Sequence, residues 1–69
     1  MNKKEKFVQR IKEQLNVDLT NDKEDIFNKK RDILYTEIEH RSQDIVLEYL
    51  IKNNIVYNKH YKDYFWIYL

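Results

Sequence analysis

Apolar side chains are densest in this chain over residues 44–51, DIVLEYLI, where Ile45, Val46, Leu47, Tyr49, Leu50 and Ile51 leave only Asp44 and Glu48 polar. A run of that density, followed by Lys52-Asn53-Asn54, predicts the buried centre of a small domain rather than a helix with one apolar stripe. Towards the N-terminus the pattern is sparser and periodic. Phe7, Val8, Ile11 and Leu15 fall at i, i+1, i+4 and i+8, which predicts an amphipathic helix over about residues 2–15. Lys3, Lys4, Lys6, Arg10 and Lys12 occupy the rest of its circumference.

Asn16-Val17-Asp18-Leu19 interrupts that period, and Asn21 followed by Glu24 reads as an N-cap with its capping-box partner, with Asp22 and Asp25 adding to the first turn. Phe27, Leu34, Ile38, Ile45 and Tyr49 then recur at i, i+7, i+11, i+18 and i+22, a narrow helical face that Ile26 and Ile33 widen. An unbroken helix over 22–53 would span on the order of 45 Å, too long for a compact domain of this size. A break near Ser42 is therefore expected, leaving helices over about 22–40 and 43–53. Asp25 with Lys29, Glu37 with Arg41 and Glu48 with Lys52 supply i,i+4 pairs with the acid first, the favourable order.

Past Asn54 the residue types change. Ile55-Val56-Tyr57 and Tyr64-Phe65-Trp66-Ile67-Tyr68-Leu69 are β-branched and aromatic, with polar Asn58 to Asp63 between them, the signature of a hairpin over about 55–69. The pattern thus predicts a mainly α, small α+β single domain over 1–69, with two or three helices and a C-terminal β-hairpin. An all-α helical bundle is the alternative, because Tyr57, Tyr61, Tyr64, Phe65 and Tyr68 also keep helical spacing and the loop lacks the glycine that hairpins favour.

Composition restricts function more than it names it. A chain of 69 residues makes one domain at most, with a stability of a few kcal/mol and no room for a deep substrate cleft. The absence of cysteine excludes disulfides and thiolate metal sites, and the absence of glycine excludes a Gly-rich phosphate loop. Without Gly or Pro, breaks between elements fall to Asn, Asp, Ser and Thr. Thirteen basic against 12 acidic residues, net charge +1, supply no overall field that would draw the chain to nucleic acid or an anionic membrane. No apolar stretch approaches the roughly 20 residues of a membrane span, and MNKKEKFVQR is charged where a signal peptide is apolar. A cytoplasmic location without membrane contact is expected. The bias towards Lys, Asn, Ile and Tyr fits AT-rich coding of the kind found in phages and other mobile elements.

Candidate chemistry is thin. Glu37 and His40 have the Glu-x-x-His spacing of di-iron bundles, but once only, where such sites draw on several helices. Ser42 is the only serine, and neither His40 nor His60 comes with a supporting acid. The expectation is a non-enzymatic protein with no cofactor and no metal site.

Two binding readings remain. The preferred one is a small protein-binding module, an inhibitor or adaptor acting on a larger host protein, with self-association compatible with it. In a hairpin Tyr64, Trp66 and Tyr68 point to one side and Phe65, Ile67 and Leu69 to the other, so the Tyr/Trp side is the expected partner-binding face. The alternative is a winged-helix-like DNA-binding transcriptional regulator, suggested by element order, with Lys3, Lys4, Lys6, Arg10 and Lys12 as its phosphate contacts. Against it, a recognition helix over 43–54 would present Asp44 and Glu48 to the phosphates beside a single Lys52.

Overall fold

Helix α1 spans Lys3–Leu15. Asn2 stands at its N-cap with extended backbone, and its Oδ1 accepts the Glu5 N–H at 2.8 Å, satisfying one of the donors that a helix start leaves open. Asn16 closes the other end in the left-handed conformation, its N–H donating to the Lys12 carbonyl. Phe7 and Ile11 are buried and Val8 and Leu15 flank them, so the apolar spacing does mark the inward face. The structure, a computed structural model, describes residues 2–21 and 32–69. The helix start expected at Asp22 to Asp25, the pair Asp25–Lys29 and the apolar positions Ile26 and Phe27 lie outside the described residues.

After α1 the described elements are strand β1 (Ile33–Glu37), helix α2 (His40–Lys52), strand β2 (Tyr57–Lys59) and strand β3 (Tyr64–Tyr68). The three strands form one sheet in the order β1-β3-β2, with β3 antiparallel to both neighbours. The fold is therefore a small α+β one, and the all-α alternative does not hold. Strand β1 also overturns the C-terminal part of the helix expected over 22–40. Leu34 and Ile38 do face one core, but through strand alternation: Leu34 and Thr36 are buried while Tyr35 is half-buried and Glu37 exposed. Buried Thr36 hid this period of two, because a polar residue stands where an apolar one would have signalled a strand. Its hydroxyl is satisfied by the Thr20 hydroxyl at 3.2 Å, and Thr20 Oγ1 also accepts the Glu37 N–H at 3.0 Å.

Helix α2 begins at His40, with Glu39 as N-cap, so Ser42 lies inside the first turn instead of starting a helix at 43. Glu37 is in a strand and forms no i,i+4 pair with Arg41, which instead meets Glu39 at 2.8 Å. The 44–51 run is not buried all round either. Val46 and Leu50 are fully buried and Leu47 and Tyr49 flank them, whereas Ile45 is 46% and Ile51 65% exposed. A helix lying on one face of a three-stranded sheet has only one side to bury, whatever the composition of the other. Gln43, one turn before Val46, is buried too. Its Nε2 donates to the Ile38 carbonyl at 3.0 Å and to Asp63 Oδ1 at 2.7 Å, tying the start of α2 to the β2–β3 loop.

Helix α2 ends on a pair of reverse bonds, Ile55 N–H to the Leu50 carbonyl (2.9 Å) and Asn54 N–H to the Ile51 carbonyl (3.1 Å). This is the Schellman pattern, with Asn54 at positive φ (56°) in the place usually taken by glycine. Of the non-glycine residues at positive φ among those described, two are asparagines, Asn16 and Asn54, and the third is Lys62 at 54°. Lys62 sits at the first central position of the turn closed by the Tyr64 N–H to the Tyr61 carbonyl (3.0 Å), where a side chain is disfavoured. Lys62→Gly is expected to stabilise the protein by roughly 1 kcal/mol, and Asn54→Gly by less, since Asn tolerates this region better. Urea midpoints at unchanged m check this; a lower midpoint for Lys62→Gly would mean that the turn does not need positive φ.

Strand β3 is central. Its inward residues Phe65 and Ile67 are fully buried and meet Leu34, Ile38, Val46, Leu50, Phe7 and Ile11 in one cluster. Both described helices thus cover the same face of the sheet. In register, Trp66 lies opposite Tyr35 on β1 and Asn58 on β2, which fixes the residues of the other face.

Candidate protein-binding surface

The face of the sheet turned away from that core carries Ile33, Tyr35 and Glu37 from β1, Tyr64, Trp66 and Tyr68 from β3, and Asn58 from β2, by alternation and register. Tyr64, Trp66 and Tyr68 are half-buried, and Phe65 and Ile67 are buried on the opposite side, in the sense that the hairpin pattern predicts. Leu69 is half-buried and packs against the core. Ile33, only 4% exposed, belongs to no part of the main core cluster, in keeping with its place on this second face.

The rings hold one another. Tyr35 stacks on Tyr64 (centroids 5.1 Å apart, planes 15° apart) and meets Trp66 edge-on at 5.9 Å. His60 stacks on Trp66 at 5.3 Å and approaches Tyr35 at 6.0 Å. At the far end of the strand, Asn58 Nδ2 donates to the Tyr68 hydroxyl at 3.0 Å. Such offset and edge contacts each contribute about 0.5–1.5 kcal/mol beyond area burial, so the face is preorganised. Trp66 Nε1 is buried, and among the described residues its N–H has no acceptor.

Two members of this face were not apparent in the sequence. Tyr35 falls within the helix expected over 22–40 but lies on β1, and His60, an exposed loop residue, also packs on Trp66. The signal for Tyr35 was the β-rich ILYT stretch; for His60 there was none, because its contact depends on how the loop turns back. His40 and Glu37 fall on a helix and a strand, so the Glu-x-x-His helical spacing is not realised. Among the described residues no three His, Asp or Glu side chains lie together as metal ligands.

The five N-terminal cations do not form one patch. Lys4 is buried, Lys12 pairs with Asp18 at 3.1 Å, and Lys3 lies 3.6 Å from Asp32. Lys3, Lys6 and Arg10 do line a common groove with Tyr68 and Leu69. On α2, the exposed side near Leu47 and Ile51 carries Asp44 and Glu48 beside Lys52. No described helix is long and apolar enough to cross a membrane. No protein-family model, no curated protein and no solved structure matches this chain.

Proposed function

We propose that this chain is a cytoplasmic, non-enzymatic protein-binding module, an inhibitor or adaptor that docks on a larger host protein through the outer face of its sheet. The observation that carries the reading is the aromatic face of half-buried Tyr35, Tyr64, Trp66 and Tyr68 with exposed His60 packed on it, away from the core under α1 and α2. Tyr and Trp combine a large apolar area with a polar handle and few rotatable bonds, which is why they dominate interface hot spots. Rings already packed against one another lose little further freedom on binding. The winged-helix reading has less support, since of its five cations Lys4 is buried and Lys12 and Lys3 have acidic neighbours.

Affinity capture from the source organism's lysate, with and without nuclease, tests the proposal. A protein retained near 1:1, insensitive to nuclease, is expected. Tyr64→Ala and Tyr68→Ala should each weaken its capture by about 1–2 kcal/mol, roughly 5- to 30-fold, with both variants still folded at the temperature of the capture. Nuclease-sensitive recovery, or capture indifferent to both substitutions, would remove this face from consideration.

A further inference from the structure

Beside the aromatic face runs a second feature, a groove of about 400 Å³ between α1 and the end of β3. Lys3, Lys6 and Arg10 form one wall, at i, i+3 and i+7 along about 10 Å of helix. Lys3 is shared with Asp32, but Lys6 and Arg10 meet no carboxylate among the described residues. Phe7 and Ile55 supply an apolar surface between this wall and Tyr68 opposite. Among the described residues no Asp or Glu side chain lines the groove.

We propose that this groove receives an acidic segment of the partner protein, its carboxylates meeting Lys6 and Arg10 while an apolar side chain lies against Ile55 and Tyr68. The inference rests on the docking reading above and deepens it, because Tyr68 belongs to both the groove and the aromatic face. A partner seated on the sheet therefore continues towards Lys6 and Arg10, which meet no carboxylate among the described residues, and charge complementarity favours an acidic edge there. A nucleic-acid strand suits the surface less well. Base stacking needs free ring faces, and Tyr35 with Tyr64, and Trp66 with His60, each spend one face on the other. Three cations would neutralise at most about three phosphates, too few for binding that survives physiological salt.

The probe is a synthetic peptide of alternating Glu and Leu, titrated into the isotope-labelled chain and followed by amide chemical shifts. Saturable shifts are expected at Lys6, Arg10, Ile55 and Tyr68, weakening as salt rises. Replacing both cations, Lys6→Glu with Arg10→Glu, should weaken binding about tenfold, whereas Glu48→Lys on α2 should change it less than about twofold. Lys6 and Arg10 are exposed, so the double variant should keep its melting temperature, and Lys6→Gln with Arg10→Gln provides a milder version if it does not. Absence of saturable shifts, shifts centred elsewhere, indifference to the paired reversal at Lys6 and Arg10, or tighter binding of an oligothymidylate of equal charge would each overturn the proposal. Because the peptide makes no contact with Tyr35, Tyr64 or Trp66, a negative result beside intact partner capture refutes the groove alone. Shifts in the groove with capture indifferent to Tyr64→Ala refute the sheet face alone.

Discussion

Leu50→Ala is expected to lower stability by about 2–5 kcal/mol, because Leu50 is fully buried where α2 meets the sheet and the site has few ways to collapse around the missing atoms. A chain of this size has roughly 3–10 kcal/mol in all, so the variant should be largely unfolded or melt tens of degrees lower. Ile51→Ala, one residue on, is the paired control: its side chain is mostly solvent-exposed, and its loss should stay within about 0.5 kcal/mol. Urea denaturation followed by far-UV circular dichroism measures both. Equal losses would mean that α2 is enclosed on all sides, as the density of 44–51 by itself suggests; a large gap means that only the Val46–Leu50 side is core.

Phe65→Ala should cost about 3–5 kcal/mol, the larger of the two effects. Phe65 is fully buried on the central strand, lies opposite Thr36 and Lys59 in register, and packs on Tyr57 with ring centroids 6.3 Å apart. The Lys59 ammonium sits 6.0 Å from its ring centre, closing the edge of the core. Trp66→Ala provides the contrast across the sheet. It loses contacts to Tyr35 and His60, but it also removes an indole N–H that is buried without an acceptor, so the two terms oppose each other. The Trp66 variant should remain folded under conditions where the Phe65 variant does not. Should Trp66→Ala prove as damaging as Phe65→Ala, the outer face is a second core and cannot serve as the docking surface.

Much of the outer face was legible beforehand for one reason. In a strand successive side chains alternate, so YFWIY assigns Tyr64, Trp66 and Tyr68 to one side and Phe65 and Ile67 to the other once it is taken as a strand. Strand β1 was not legible, because Leu34, Ile38, Ile45 and Tyr49 match a helical repeat and buried Thr36 masks the strand repeat. Without β1, Tyr35 could not be placed beside Tyr64 and Trp66, and the aromatic cluster looked like a row on one strand instead of a surface across two.

Local signals were enough for α1, whose apolar face and polar ends lie within 15 consecutive residues, and for the existence of a C-terminal hairpin. They were not enough for its first strand, which is Tyr57–Lys59 and not Ile55–Tyr57, so that Asn58 and Lys59, expected in the loop, pair with Trp66 and Phe65. Local signals also announced that a chain without glycine would turn on asparagine, as it does at Asn16 and Asn54. What only the tertiary structure decided are the features that depend on distant pairing. Ile33–Glu37 becomes a strand because Tyr64–Tyr68, some 30 residues later, offers it a ladder. Ile45 and Ile51 are left outside because that sheet presents a single face to α2. Lys6 and Arg10 face Tyr68 because α1 packs beside the end of β3. Periodicity reports which residues share a side of their own element; what that side meets is set by long-range contacts that no local window contains.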